Sequence, residues 1–202
     1  MTIKDKLAHY EPKPLGEKGR YAVLLPLIYD VKTDKYQILY QVRSEHISQP
    51  GEVSFPGGRV EDGETFQEAA IRETCEELNL TPDQIDIWGE IDYLIHQGRT
   101  IHCFVGKINV ENWEDIHPNE EVKRLFTVYV DTLLTDEPVY YKVTSTLSDA
   151  KDFPFFLVKN REKYKFGYSE RHIPFYMNLT ENIWGMTAMF THRFTDILKD
   201  SE

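Results

Sequence analysis

The feature that most restricts this sequence is a helix-forming stretch in which carboxylates crowd one side. Residues 65–79 are good helix formers, and at ~100° per residue Glu73, Glu76 and Glu77 project within one arc of about 100°. Glu73 and Glu77 stand four residues apart, a spacing at which like charges destabilise a helix. Neither has a lysine or arginine four residues further on. The pattern therefore predicts either a solvated acidic face or a site for a bound cation.

The segment that leads into this helix favours the cation site. Residues 55–58, Phe-Pro-Gly-Gly, suit a backbone that approaches a ligand closely and points a carbonyl inward. Glu64 can reach Arg72 and form an orienting ion pair. We also expect the small Ala69 and Ala70 to leave space in front of the carboxylates. Clustered oxygen ligands of this kind suit Mg²⁺ or Mn²⁺, which share their coordination with substrate phosphates.

Apolar patterning around the acidic helix predicts one α/β domain. The runs at 21–30 and 36–44 predict a strand hairpin, with Pro26 at a bulge or a sheet edge. An amphipathic helix is predicted for 180–200, with Thr180 as its cap. Residues 1–20 are polar and are interpreted as an arm. Further strands are expected at 52–54, 85–96, 100–110, 139–147 and 154–160, and a loop, a strand and a short helix at 119–134.

Composition narrows the classes of partner. The 202 residues carry a net charge of -11, which argues against binding a nucleic-acid backbone. No apolar run approaches the roughly 18 residues that span a bilayer, and the first residues lack an apolar signal core. Cys75 and Cys103 have no metal-type spacing and are expected to be buried thiols in a reducing compartment. We therefore expect a cytoplasmic protein with a small-molecule substrate, and the sequence leaves its oligomeric state open.

The stretch from Gly58 to Leu80 resembles the Nudix box of the Nudix hydrolases over 23 residues. Two positions depart from the usual pattern: Thr74 stands where a bulky aliphatic residue is common, and Asn79 replaces the closing glycine. Asparagine is the next-best residue for a left-handed helix end, so the second change should be mild. The matching charged and glycine positions are Gly58, Glu64, Arg72, Glu73, Glu76 and Glu77.

The resemblance implies a fold, a reaction and a set of site residues. The fold is a Nudix-type α/β/α sandwich with a mixed sheet and a loop-helix-loop catalytic motif, in a single domain over 1–202. The reaction is metal-dependent hydrolysis of the pyrophosphate in a nucleoside diphosphate linked to another moiety. The implied metal ligands are the Gly58 carbonyl, Glu73, Glu76 and Glu77, the positioning pair is Arg72 and Glu64, and the implied substrate contacts are Arg43, Gly57, Gly58 and Arg59.

Residues 39–58 resemble the signature of the coenzyme A pyrophosphatase branch of that family. The segment between Ser44 and Gly51 is one residue shorter than that signature and lacks its arginine. The branch implies coenzyme A or a derivative as the substrate, with 3',5'-ADP and 4'-phosphopantetheine as products. The matching positions are Leu39, Arg43, Ser44, Gly51, Phe55 to Gly58, Glu121, Val122 and the Ile-Trp-Gly-Met-Thr-Ala run at 183–188.

Several alternatives stay open at the level of sequence. ADP-ribose, another nucleoside-diphosphate sugar or a dinucleotide could be the substrate, or the domain could sense nucleotides without catalysis. Glu121 is either an extra metal ligand or base, or an ordinary loop charge. Arg43 contacts a substrate phosphate or lies at the surface of a strand end. Trp184 and Thr187 are interpreted as packing residues of the last helix.

Overall fold

A computed structural model describes residues 2–10, 12–145, 153–160 and 169–200. The helices in these ranges are α1 (Ile3–Ala8), α2 (Phe66–Leu78), α3 (Val130–Thr135) and α4 (Gly185–Lys199). The strands are β1 (Gly19–Asp30), β2 (Lys35–Arg43), β3 (Val53–Ser54), β4 (Gly57–Arg59), β5 (Ile85–Glu90), β6 (Leu94–His96), β7 (Arg99–Ile108), β8 (Val122–Tyr129), β9 (Val139–Ser145), β10 (Ser169–Tyr176) and β11 (Ile183–Trp184).

A mixed sheet forms the centre of the molecule, in the order β3-β2-β1-β7-β5. The β1–β7 pair is parallel, whereas β1 pairs antiparallel with β2 and with β4. Strands β6 and β8 join the same sheet through β7 and β2. A smaller antiparallel sheet runs β11-β10-β9. The predicted mixed sheet and the β1–β2 hairpin are thus confirmed.

Helices cover both faces of the central sheet because β1 is apolar on each side. Leu24 packs with Ala69 and Ala70 of α2 on one face. On the other face Leu25 belongs to a cluster with Phe190 of α4 and with residues of α3. Burial on both faces is typical of a strand in the middle of an α/β sandwich. The α/β/α architecture is confirmed, and among the described residues no helix is long and apolar enough to cross a membrane.

The alanines of α2 have a different role from the one expected. Ala69 and Ala70 are fully buried against β1, so the prediction that they leave open space in front of the carboxylates is wrong. Their small side chains let α2 lie close to the sheet. The helix is consequently rotated so that Glu77 faces the protein interior, where its side chain is buried.

The prediction that Pro26 marks a bulge or a sheet edge is also wrong, because β1 is central. On one side β1 pairs with β4 over residues 21–23 and with β2 over residues 27–30. Leu24 donates its N–H on that side to the Pro56 carbonyl, at 2.9 Å. The nitrogen of Pro26 points the same way, since strand residues alternate. This nitrogen lies between the segment that pairs with β4 and the segment that pairs with β2. The missing N–H of Pro26 therefore removes no backbone hydrogen bond from either pairing.

Three further expectations differ from the structure. The strand predicted at 154–160 is wrong, because Phe155–Leu157 form a short 3-10 helix. The last helix begins at Gly185 and not at Thr180, since Ile183–Trp184 pair with β10 and Gly185 turns the chain at φ 63°. The arm at 1–20 contains α1, and its last two residues open β1. The strand predicted at 139–147 is observed to Ser145, and 146–147 lie outside the described residues.

Candidate active site

The ends of α2 are fixed by local contacts. The Thr65 hydroxyl accepts a hydrogen bond from the Glu68 N–H, and the Glu68 carboxylate accepts one from the Thr65 N–H, which forms a capping box. Asn79 ends the helix in the left-handed conformation at φ 52°, as expected from its replacement of a glycine. These contacts hold the register of the helix, and with it the directions of its three carboxylates.

Glu77 lies behind the glycine-rich loop with its charge removed from water. The residue is only 4% exposed. Its Oε2 accepts hydrogen bonds from the Gln41 side-chain amide and from the Gly57 N–H, each at 3.0 Å. Burial raises the pKa of Glu77 to about 7, although these two hydrogen bonds lower it. A buried carboxylate of this kind is stabilised by a nearby cation.

Gly58 lies directly against the carboxylate of Glu73. A Cβ at position 58 would fall closer than 3.0 Å to the carboxylate carbon and to both of its oxygens. Because Gly58 has no side chain, the backbone of the loop can approach the Glu73 carboxylate closely. Burial raises the pKa of Glu73, while its hydrogen bond with Arg72 lowers it. The backbone of the loop and the Glu73 carboxylate are thus in direct contact at this point.

Arg72 connects the loop, the helix and the carboxylates. It forms a bidentate ion pair with Glu64, at 2.9 Å from Nε to Oε1 and 3.1 Å from Nη2 to Oε2, and lowers the pKa of that carboxyl. Nη2 also donates to the Arg59 carbonyl at 2.9 Å. Nη1 contacts Glu73 at 3.0 Å and Glu76 at 3.3 Å. The predicted Arg72–Glu64 contact is present, and Arg72 stands between two carboxylates as their counter-ion.

Replacing Arg72 with lysine is expected to reduce hydrolysis about 10- to 100-fold, because an ammonium group cannot reproduce the bidentate contact with Glu64. The measurement is kcat/KM at saturating metal. Glu64→Gln should give a similar loss, and the double variant should lose little more than either single one, since both changes remove the same contact. Fully additive losses would contradict the proposed coupling.

The loop before β8 brings Glu121 beside the carboxylate helix. Asn119 donates its backbone N–H to the Glu77 carbonyl at 2.8 Å and its side-chain amide to the Glu76 carbonyl at 3.0 Å. Its Oδ1 accepts the Glu121 N–H at 2.9 Å. The charge of Glu121 helps to raise the pKa of Glu73, after burial and the charge of Glu76. Asn119 could not be found from local patterns in the sequence, because Glu76 and Glu77 lie more than 40 residues before it.

A cleft of about 720 Å³ opens on the outer side of the glycine-rich loop. Gly57, Gly58 and Arg43 line it. The guanidinium of Arg43 donates to the Ser48 carbonyl at 2.8 Å. The exposed side chain of Arg59 is absent from the cleft wall among the described residues, although its carbonyl is the acceptor for Arg72.

The start of α4 closes one side of this cleft. Trp184 Nε1 donates to the Glu52 carboxylate at 2.6 Å, and the Thr187 hydroxyl donates to the Val53 carbonyl at 2.9 Å. Both residues therefore reach across to the segment that precedes the Phe-Pro-Gly-Gly loop. Sequence analysis interpreted them as packing residues and missed these contacts, because the two segments are separated by more than 130 residues.

The donor set at the loop fits a hard divalent cation. Among the described residues, no three His, Cys, Asp or Glu side chains stand in a metal-binding arrangement, and Arg72 instead pairs with Glu73 and Glu76. The Glu73 carboxylate nevertheless lies directly against Gly58, so the carboxylates of the helix face the backbone of the loop. The Gln41 Oε1 atom is buried with no hydrogen-bond partner in the described part of the chain. Carboxylate and carbonyl oxygens are the ligands that Mg²⁺ and Mn²⁺ prefer.

Solved structures share this architecture. A MutT/nudix family protein from Enterococcus faecalis superposes with a TM-score of 0.52 at 13% identity, over 98% of this chain and 70% of that one. The Nudix hydrolase RenU from M. smegmatis gives a TM-score of 0.50 at 21% identity, over 57% of this chain and 73% of that one. The sheet between helices is therefore the Nudix fold.

Sequence comparison gives the family. The model of the NUDIX domain matches residues 19–147. Nudix hydrolase 3 of Caenorhabditis elegans is 30% identical over 182 residues, which cover 88% of this chain and 72% of that protein. The chain belongs to the Nudix hydrolase family and is a pyrophosphohydrolase.

Two other relatives are named for one substrate. The peroxisomal coenzyme A diphosphatase NUDT7 of Mus musculus is 32% identical over 160 residues, which cover 75% of this chain and 66% of that protein. The mitochondrial coenzyme A diphosphatase NUDT8 of the same organism is 26% identical over 196 residues, 95% of this chain and 83% of that protein. Within its family the chain thus resembles the coenzyme A pyrophosphatase branch.

Proposed function

We propose that this protein hydrolyses the pyrophosphate of coenzyme A or a derivative, giving 3',5'-ADP and 4'-phosphopantetheine. The observation that carries the proposal is the buried Glu77, which accepts a hydrogen bond from the N–H of Gly57, a residue of the cleft wall, and lies on the helix that also carries Glu73 and Glu76. The carboxylates of this helix therefore lie behind the glycine-rich loop, next to the cleft that would receive a pyrophosphate. The names of the NUDT7 and NUDT8 relatives favour coenzyme A.

Glu73, Glu76, Glu77 and the Gly58 carbonyl would hold Mg²⁺ or Mn²⁺. A divalent cation supplies charge neutralisation of the pyrophosphate and of the departing oxygen. Such a cation also explains how a protein of net charge -11 attracts a polyanion.

The side chains of the protein perform the remaining steps. Water attacks one phosphorus, the bond from that phosphorus to the bridging oxygen breaks, and a carboxylate accepts the proton of the water. The acceptor would be one of Glu73, Glu76 and Glu77 on the helix behind the loop, or Glu121 in the segment before β8. Arg72 and Glu64 keep the helix and loop in register, and Arg43 at the cleft wall contacts a substrate phosphate.

The lining of the cleft fits a substrate with both anionic and apolar parts. Trp184, Met186 and Met189 present apolar surface along the start of α4, and arginines line other parts of the wall. Coenzyme A combines a nucleotide with a long, less polar arm, so its two halves match the two kinds of lining. A mixture of apolar surface and a few polar groups is typical of small-molecule sites.

A substrate panel tests the proposal. Purified protein is incubated with coenzyme A, ADP-ribose, NADH, diadenosine polyphosphates and nucleoside triphosphates, and products are identified by mass. We expect coenzyme A to give the highest kcat/KM. Activity should disappear in EDTA and return with excess Mg²⁺ or Mn²⁺. Turnover of ADP-ribose with no reaction of coenzyme A would overturn the substrate assignment while leaving the hydrolase in place.

One observation favours a nucleoside-diphosphate-sugar or dinucleotide pyrophosphatase as the second candidate. The segment between Ser44 and Gly51 lacks the arginine of the coenzyme A signature. Arg43, at its start, contacts Ser48 of the same segment. The panel above distinguishes this candidate directly. We also propose a cytoplasmic location, whereas the NUDT7 and NUDT8 relatives are named as peroxisomal and mitochondrial proteins.

A further inference from the structure

The end of the cleft remote from the glycine-rich loop is basic. Arg99 opens β7, His96 ends β6, and Arg171 and His172 lie on β10, and all four line the cleft. His96 and Arg99 are registered opposite each other across the turn that joins β6 to β7. Two arginines and two histidines converge here in a protein whose net charge is -11. The local charge is thus opposite to that of the molecule as a whole.

Among the described residues, the positive charges of this basic end have no carboxylate counter-ion. Neither Arg99 nor Arg171 forms an ion pair there, and the guanidinium of Arg99 lies over the face of the Tyr21 ring, at 5.5 Å. Burial lowers the pKa of His96, and the charges of Arg171 and Arg99 lower it further. The three groups are therefore close enough to disfavour an additional positive charge. An anion would relieve this mutual repulsion.

The floor of the cleft connects the basic end to the catalytic loop. Along β1, Gly19 is paired with Arg99 and Val23 is paired with Gly57. Four strand residues at ~3.3 Å each separate these two pairs by about 13 Å. Tyr21 lies between them and lines the cleft. A nucleoside lying along this floor, with an arginine side chain extended toward it, spans that distance.

We propose that Arg99 and Arg171 form a second anion subsite, which binds a phosphate monoester of the substrate remote from the pyrophosphate that is cut. The proposal rests on the proposed function, since coenzyme A carries such a group on the 3'-oxygen of its ribose. Arginine suits the role because its planar fork matches phosphate oxygens in a bidentate manner. His96 and His172 flank the subsite and can donate further hydrogen bonds.

The activity test compares coenzyme A with 3'-dephospho-coenzyme A. In Arg99→Gln and Arg171→Gln, kcat/KM for coenzyme A should fall about 10- to 100-fold, the effect of losing a hydrogen bond to a charged group. Hydrolysis of the dephosphorylated substrate should change less than about threefold, which also shows that the variants are folded. Lys107→Gln removes one positive charge from the same strand, outside the cleft wall, and should leave the ratio of the two substrates unchanged. Equal losses on both substrates, or no loss on either, overturn the proposal.

A binding test separates failure of the subsite from failure of the proposed function. Affinities of 3',5'-ADP and 5'-AMP are measured by calorimetry on the full chain in EDTA, where no hydrolysis occurs. The unmodified protein should prefer 3',5'-ADP about 10-fold or more, and the double variant Arg99→Gln/Arg171→Gln should show no preference. If coenzyme A is not cleaved but this preference is present and depends on the arginines, the subsite stands and the substrate assignment falls. Absence of any preference in the unmodified protein overturns the subsite, whichever substrate is cleaved.

Discussion

Replacing Glu77 with glutamine is expected to stabilise the metal-free protein while it reduces hydrolysis at least about 100-fold. The loss of hydrolysis follows from removing one of the proposed charged metal ligands. The gain in stability follows from burial, because the Glu77 carboxylate is only 4% exposed and no cation neutralises it when the metal is removed. A glutamine keeps an oxygen that can accept the Gly57 and Gln41 hydrogen bonds without carrying the charge.

The gain in stability should depend on pH in a defined direction. Burial raises the pKa of Glu77 from 4.5 to about 7, so the folded protein retains a proton that the unfolded chain has already lost in this window. Ionisation of Glu77 therefore destabilises the native state progressively as the pH rises from 4.5 to 7. The glutamine variant should match the unmodified protein near pH 4.5 and exceed its unfolding free energy by up to about 3 kcal/mol above pH 7. Urea titrations in EDTA at several pH values measure this.

Glu76→Gln is the matched control for this experiment. The side chain of Glu76 is 57% exposed, so its carboxylate remains solvated and its removal relieves no comparable burial. We expect Glu76→Gln to lose hydrolysis as a proposed metal ligand, with no pH-dependent gain in stability. Full metal-dependent activity in a folded Glu77→Gln protein would refute its place in the site. A destabilised variant at pH 8 would refute the electrostatic account of its burial.

The sequence shows that the carboxylates of α2 must repel one another, but it does not show which side chains compensate their charges. The i,i+4 relation of Glu73 and Glu77 follows from helical geometry, and the contact of Arg72 with Glu64, which precedes the helix, is local in the sequence, so both could be predicted. Arg72 also holds Glu73 and Glu76, and Gln41 from β2 holds Glu77. The contact with Gln41 spans 36 residues. It depends on how α2 packs on the sheet, which no local pattern specifies.

Errors in the fold prediction have the same origin. Pro26 was assigned to a bulge or a sheet edge because proline lacks an N–H, yet a central strand accommodates it where its neighbour on one side changes from β4 to β2. The last helix was extended to Thr180 because its amphipathic pattern continues, but pairing of Ile183–Trp184 with β10 takes precedence. In both places tertiary pairing overrides a local preference.

Replacing each of the two loop glycines with alanine should affect a different property of the protein: stability for Gly57 and catalysis for Gly58. Gly57 has φ 150°, and a Cβ there would lie closer than 3.0 Å to the Ala22 carbonyl and the Val23 Cα, which are fixed backbone atoms of β1. Gly57→Ala should therefore lower the free energy of unfolding by about 3 kcal/mol or more. The three atoms nearest to a Cβ on Gly58 all belong to the carboxylate end of Glu73, a flexible side chain that can rotate away. Gly58→Ala should keep its stability.

Gly58→Ala, the variant that should keep its stability, should nevertheless lose catalytic activity. Moving the Glu73 carboxylate by an ångström or more should reduce kcat about 100-fold in Gly58→Ala, since a misplacement of that size is sufficient for such a loss. Gly89→Ala is the matched control, because a Cβ there meets no atom within 4 Å and should change neither property. Thermal unfolding and kcat measured on all three variants separate the two effects. An active Gly58→Ala protein would mean that the loop need not approach Glu73, and would remove the Gly58 carbonyl from the proposed set of metal ligands.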